Sequence, residues 1–225
     1  MSASSLSLPA SQVLGLWDDK GTHFYLKNEY LIKRDREKGK EGEGKEGERP
    51  HLKRGFVPTS KLPVLMGLVD GESPQQVAEY IKEGKKVPVQ NARKRDNGVI
   101  GEPLVFKWYN DTIEPVKAAG AAVSKDTPWL VSIADGEVGD DGLLEIKVRD
   151  QLDSNNLKGM IMARDYVQLL AEMHSYHRKW VDYVVLGRIT GQLCRIRVYF
   201  DPKIWAVCQS RGEDFVKRFL LSSSP

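Results

Sequence analysis

Residues 142–148 read Gly-Leu-Leu-Glu-Ile-Lys-Val, a run apolar enough for the middle of a sheet, yet two charges interrupt it. Side chains alternate across a strand, so Glu145 and Lys147 share one face while Leu144, Ile146 and Val148 share the other. A fold that buries this strand must set a carboxylate and an ammonium side by side on one face of its sheet. Unpaired buried charges are costly, so stability alone does not account for the pair. An Asp-Gly step, Asp135-Gly136, stands ten residues upstream, directly after the apolar run Pro-Trp-Leu-Val-Ser-Ile-Ala of residues 128–134.

The surrounding pattern supplies the scaffold. Residues 128–134 and 142–148 read as paired strands across the turn Asp-Gly-Glu-Val-Gly-Asp-Asp-Gly. A long helix is expected over residues 157–178, with Met162, Tyr166, Leu169, Leu170 and Met173 as its buried stripe. Residues 180–187 and 194–200 then form a hairpin through Arg-Ile-Thr-Gly-Gln, and the amphipathic run 213–221 closes the chain. Upstream, residues 73–86 carry an N-cap serine, a proline in the first turn and apolar residues at helical spacing. Residues 97–113 read as a further helix, with Gly98, Gly101 and Pro103 crowding its first turn. The core order is helix, strand, strand, helix, strand, strand, helix, which is an α/β (α+β) chain without internal repeats.

The N-terminal part is different. Residues 23–34 alternate enough for a strand, and residues 33–53 form a low-complexity run of interleaved charges and glycines with no apolar residue before Leu52. Such a run has nothing to bury and reads as a solvated insertion or linker. The expected organisation is a segment 1–32, the charged run 33–53 and a globular domain 54–225.

Composition narrows the function classes. At 225 residues and 40% hydrophobic, the chain is long enough for one well-packed domain, or one domain with an appendage. A net charge of +3 permits nucleic-acid binding without arguing for it, because clustering on one face is what matters. Two cysteines are too few for a disulfide framework or a four-cysteine metal site. The first residues, Met-Ser-Ala-Ser-Ser-Leu-Ser-Leu, have neither the basic nor the apolar region of a signal peptide, and no run reaches membrane-spanning length. The expectation is a soluble intracellular protein, in the cytoplasm or nucleus of its host cell, without membrane partners.

The opening question then has a chemical answer. Asp135 and Glu145 come from neighbouring strands, so their carboxylates can converge. Hard oxygen donors at that separation suit Mg²⁺, which takes one or two carboxylates plus waters and substrate phosphate oxygens. Lys147, facing the same way, lies beside the ion, where it can orient a water and neutralise charge on a phosphoryl-transfer transition state. Glu-x-Lys alone is a common tripeptide on half-exposed strands; the Asp-Gly step at hairpin spacing is what gives it specificity. Other features have plainer readings. His174 and His177 are surface residues rather than metal ligands, since a third ligand is missing. Trp129 and Trp180 are core. Lys82, Lys85, Lys86 and the Ala-Arg-Lys-Arg run 92–95 form a basic cluster suited to duplex phosphates.

From Arg54 to about Leu220 the chain resembles the phage lambda-type exonucleases, the YqaJ-like viral recombinase (alkaline exonuclease) family of the PD-(D/E)xK nuclease superfamily. The resemblance rests on Asp135-Gly136 followed by Glu145-Ile146-Lys147, on Gly98-Val99-Ile100-Gly101-Glu102 with Trp108-Tyr109 at helical distance, on the glutamine-bearing helix that includes Gln168, and on Arg-Gly-Phe-Val-Pro-Thr-Ser at residues 54–60. It implies a restriction-endonuclease-like core, a central mixed β-sheet flanked by helices. It also implies that Asp135, Glu145 and the Ile146 carbonyl ligate Mg²⁺ or Mn²⁺, that Glu102 holds a second ion or its water, and that Lys147 and Gln168 position the attacking water. Arg54, Ser60 and Ser132 would bind a terminal 5′-phosphate. The chain departs from the family's Ser-Pro-Asp-Gly wording, having Ser132-Ile133-Ala134-Asp135, which sets the serine one residue further back.

What the resemblance implies is a 5′-to-3′ exonuclease on double-stranded DNA ends that makes single-stranded tails for recombination, with a single-strand annealing protein as partner and a trimeric ring as assembly. A non-catalytic DNA-end-binding relative is the rival reading, and endonuclease or RNase activity can be carried on the same core. A degenerate relative is expected to have lost one of Asp135, Glu145 and Lys147. This chain retains all three.

Overall fold

A computed structural model describes residues 22–25, 55–83, 92–152 and 161–222. Along the chain these form β1 (Thr22–Tyr25), β2 (Val57–Pro58), α1 (Leu62–Leu65), α2 (Pro74–Glu83), α3 (Ala92–Thr112), β3 (Val116–Ala118), β4 (Leu130–Val131), β5 (Gly136–Val138), β6 (Gly142–Arg149), α4 (Ala163–Tyr176), β7 (Trp180–Gly187), β8 (Gln192–Tyr199) and α5 (Pro202–Phe215). The charged run 33–53, Arg54 and residues 153–160 lie outside the described residues.

Six strands make one mixed sheet in the order β1-β8-β7-β6-β5-β3, in which β6 and β7 run parallel and the other neighbours antiparallel. The parallel pair needs a crossover, and α4 supplies it. Both central strands are covered on two faces, which explains why β7 is apolar almost throughout. On one face Leu144 and Ile146 of β6 and Val184 and Leu186 of β7 pack against Val105, Trp108 and Tyr109 of α3. On the other, Leu143, Val181, Tyr183 and Val185 meet Val167, Leu170 and Met173 of α4, with α1, α2 and α5 outside them. The fold class expected from the sequence is the one observed: a mixed sheet flanked by helices.

Local chemistry explains the helix ends. Ser73 Oγ accepts the Gln76 N–H while Gln76 Oε1 accepts the Ser73 N–H, a reciprocal cap before α2. Asp201 accepts from the backbone of Lys203 and Ile204 and is followed by Pro202, so α5 begins there. The sequence placed the closing helix at residues 213–221, but that run forms only the end of α5 and a π-helical extension, Val216–Leu221. The cap and the proline fix the start upstream.

Three other expectations need correction. Residues 128–134 do not pair with β6. Leu130–Val131 runs parallel to Val57–Pro58, Ser132 bridges to Ala122, and the partner of β6 is β5. Gly136 explains the switch: a Cβ there would lie 2.4 Å from Val116 Cγ2, so only glycine lets β3 close against β5. The expected helix start at residue 157 lies outside the described residues; the described helix is Ala163–Tyr176, and Met162 is its exposed N-cap instead of part of the buried stripe. α3 starts at Ala92, five residues before the expected start, and runs through Pro103. Tertiary packing overrides propensity there: a Cβ on Gly101 would sit 2.6 Å from Val148 Cγ2, so glycine lets the helix backbone settle onto the sheet. The expected N-terminal strand is described only at β1, which joins the main sheet beside β8.

Candidate active site

The β5–β6 register, Gly136↔Leu144, sets Asp135 across from Glu145 at the mouth of the hairpin. The Asp135 carboxylate accepts the Ile146 N–H at 2.7 Å, which ties the Asp-Gly turn to the charged strand. Glu145 and Lys147 project from β6 toward α4, away from the face on which Leu144 and Ile146 meet α3. Lys147 Nζ lies 2.6 Å from Glu145 Oε1. Gln168 of α4 closes the triangle: its Oε1 accepts from Lys147 at 3.3 Å and its Nε2 donates to Glu145 at 2.9 Å. Glu145 keeps 6% of its side chain exposed and Lys147 29%, so Lys147 is the more accessible member of the pair.

The helix also orients the acidic turn. The Tyr176 hydroxyl accepts the Ala134 N–H, next to Asp135, and donates to the Gly120 carbonyl. Burial holds this phenol protonated up to about 12, with the Ala134 N–H working the other way.

Charge is concentrated at this point. Burial, then the Glu145 charge, pushes the Asp135 carboxyl up to about 8, against the pull of the Ile146 N–H; the Glu102 carboxylate raises it further. Burial alone acts to discharge Lys147, but the Glu145 and Glu172 carboxylates outweigh it and hold the ammonium above its ordinary value. The donor set fits a hard divalent cation: two carboxylates whose mutual repulsion an ion would relieve. No three His, Cys, Asp or Glu side chains among the described residues gather as a ready-made metal cluster. Mg²⁺ does not require one, because it keeps waters and substrate oxygens in its shell.

Not every expected residue converges. Glu102 is half-buried in α3, close enough for its charge to act on Asp135. Ser132 is fully buried and its hydroxyl has no hydrogen-bond partner, while Ser60 is exposed in the short 3₁₀ turn Thr59–Lys61. The parallel β2–β4 pairing does run the segment after Arg54 alongside the one leading to Ser132. Lys85 and Lys86 lie outside the described residues. His174 stacks on Trp205 with ring centroids 4.4 Å apart and contacts Thr127 Oγ1; His177 takes the left-handed conformation that ends α4. Trp129 and Trp180 are half-buried and pack against the two cores.

Sequence reasoning missed Glu172. It is fully buried, accepts from Gln168 Nε2 at 2.7 Å, and lies one helical turn after Gln168. Its signal was present: an acid inside the otherwise apolar Leu-Leu-Ala-Glu-Met stripe. Arg149 was missed as well; it pairs with Asp165 at 2.6 Å and touches the Tyr183 hydroxyl. A cavity of about 310 Å³ leads from Lys147 past Arg149 and Arg164 to Met162. A second buried charge, Asp182, is held by Tyr109, Arg195 and Arg197 on the opposite face of the sheet. It supports the fold there and is separate from the site.

No protein-family model and no curated protein matches the chain. Among solved structures, the alkaline exonuclease LHK-Exo from Laribacter hongkongensis aligns with a TM-score of 0.61 at 19% identity, over 86% of this chain and 93% of that one. LHK-Exo in complex with dAMP aligns with a TM-score of 0.60 at 20% identity, over 74% and 89%. The protein SSO0001 aligns with a TM-score of 0.54 at 13% identity, over 88% and 87%. The mixed sheet, its α4 crossover and the flanking helices of this chain therefore form the fold of the alkaline exonuclease LHK-Exo.

Proposed function

We propose that this chain is a metal-dependent phosphodiesterase that cuts DNA, working from duplex 5′ ends in the 5′-to-3′ direction. The observation that carries the reading is the meeting of Asp135, Glu145, Lys147 and Gln168 at one point, from a turn, a strand and a helix. A purely structural strand has no use for that arrangement.

In this reading Asp135, Glu145 and the Ile146 carbonyl hold Mg²⁺ or Mn²⁺, and Glu102 holds a second ion or its water. Bound metal supplies a Lewis acid for the phosphoryl oxygen and a more acidic water. The chain's own groups do the rest. Lys147, the more exposed partner of Glu145, would offer its ammonium to the phosphate oxygens. Gln168 orients the water with its amide. The P–O bond to water forms as the bond to the 3′ oxygen breaks, and that oxygen leaves with a proton as a hydroxyl. The cavity beyond Lys147, lined by Arg149 and Arg164, accommodates the backbone next to the cut. Arg54, Ser60 and Ser132 would bind a terminal 5′-phosphate through charge-assisted and bidentate bonds, which distinguish a monoester from an internal diester.

Digestion of linear duplexes labelled at either end, with and without a 5′-phosphate, in Mg²⁺ or in chelator, tests this. Metal-dependent release of mononucleotides from the 5′ end, faster from phosphorylated ends, is expected. Internal cuts would make it an endonuclease, and end binding without cleavage a non-catalytic relative.

A further inference from the structure

Gln168 has one oxygen and two amide hydrogens; both hydrogens are committed, and the oxygen meets Lys147 while keeping a second lone pair for a water. The oxygen faces Lys147; one hydrogen goes to Glu145 and the other to Glu172. An amide can turn over in place, exchanging its oxygen and nitrogen. Turned over, it would set NH₂ against an ammonium and its oxygen against two carboxyl groups. Glu172 is thus the anchor on the side away from the reacting atoms: it is fully buried, on the same helix one turn along, and its hydrogen bond to the triangle goes through Gln168, while its charge is also felt at Lys147.

We propose that Glu172 is a positioning residue, whose Oε1 pins the Gln168 amide and thereby fixes where Lys147 Nζ stands. The inference rests on the nuclease reading for its catalytic consequence but not for its geometry. Burial, then the Glu145 charge, pushes the Glu172 carboxyl well above the usual range, and its Oε2 has no partner. The geometric link to Gln168 is the acceptor oxygen at Oε1, which an amide carbonyl in the same place would also supply.

Two substitutions separate acceptor from charge. Glu172→Met keeps the volume and apolar surroundings but removes the acceptor; replacing a buried charge with an apolar group of similar size is often tolerated by the fold. Glu172→Gln keeps a carbonyl oxygen. Glu172→Met should lower kcat on duplex DNA at least tenfold with KM unchanged, while Glu172→Gln stays within about threefold of wild type. In Gln168→Ala, adding Glu172→Met should produce no further loss, because the anchor acts through the amide. The second readout needs no activity. The Gln168 side-chain NH₂ resonances, assigned by their absence in Gln168→Ala, should be exchange-protected in wild type and in Glu172→Gln, and lose protection in Glu172→Met.

Unchanged amide protection in Glu172→Met overturns the proposal, as does a Glu172→Gln variant as impaired as Glu172→Met. Should the wild-type protein cut no DNA, the nuclease reading fails, and the amide resonances alone decide the positioning role.

Discussion

The Tyr176 hydroxyl accepts the Ala134 N–H at 3.2 Å, so the last turn of α4 holds the backbone next to Asp135. The helix that orients Gln168 thus also orients the acidic turn. Tyr176→Phe loses this bond and the one to Gly120, at roughly 1 kcal/mol each. Thermal unfolding should register that modest loss, while kcat falls by more than tenfold because Asp135 loses its register with Glu145. An activity loss no larger than the change in folded fraction would contradict the role.

Asp135→Ala, Glu145→Ala and Lys147→Ala should each abolish cleavage. Any two together should be no worse than one, because the three act as a unit. Stability should divide them in metal-free buffer. Removing Lys147 leaves Glu145 without its cation and lowers the melting temperature, whereas Asp135→Asn relieves repulsion with Glu145 and raises it. Calorimetry in chelator reads both.

Gly101→Ala tests the approach of α3. Helix propensity returns up to about 1 kcal/mol, and overpacking against Val148 takes about 1–3 kcal/mol, so a net loss on the order of 1 kcal/mol is expected. Val148→Ala added to the same chain should recover stability by making room. If the double variant unfolds earlier than Gly101→Ala alone, the contact is not the cause.

His174 gives the pH dependence. Burial holds its imidazole below the ordinary value, with the Asp126 charge opposing. A depressed pKa means that the unfolded chain takes up the proton first, so stability present above about pH 6.5 is lost as the pH falls. His174→Gln, which cannot charge, should lose less stability than wild type between pH 7 and 5. Parallel urea-midpoint curves for the two proteins would refute this.

Asp182→Ala is the control for the opposite face. It leaves Arg195 and Arg197 without their buried partner and should cost about 3 kcal/mol, the low end for breaking a buried pair since both arginines are part-exposed. Cleavage per folded molecule should be unchanged at low temperature, because the cluster lies across the sheet from Lys147.

Much of the site was legible because its chemistry is written in short segments. Alternation alone put Glu145 and Lys147 on one face, and the Asp-Gly step marked the turn. The strand pairing was misread for a physical reason: Leu130–Val131 and Gly136–Val138 are both short, and the longer apolar run drew the assignment that Gly136's contact with Val116 gives to β5. Glu172 was passed over because helical periodicity counts an acid in an apolar stripe as an interruption rather than as a signal. Only the fold shows that Gln168, one turn earlier, requires it. The helix ends were mistaken where a cap decided the boundary, as Asp201 does for α5.

The pairing of β1 with β8 sets an order on how this sheet can be made. Thr22 lies beside Arg195, about 170 residues apart in sequence. At roughly 5–20 residues per second, a ribosome takes on the order of 10–35 seconds to deliver the partner. Throughout that interval β1 has no edge to join. The meander β3-β5-β6 and the hairpin of β7 and β8 are local in sequence and need no such wait, so the strand made first is the one whose partner is made last.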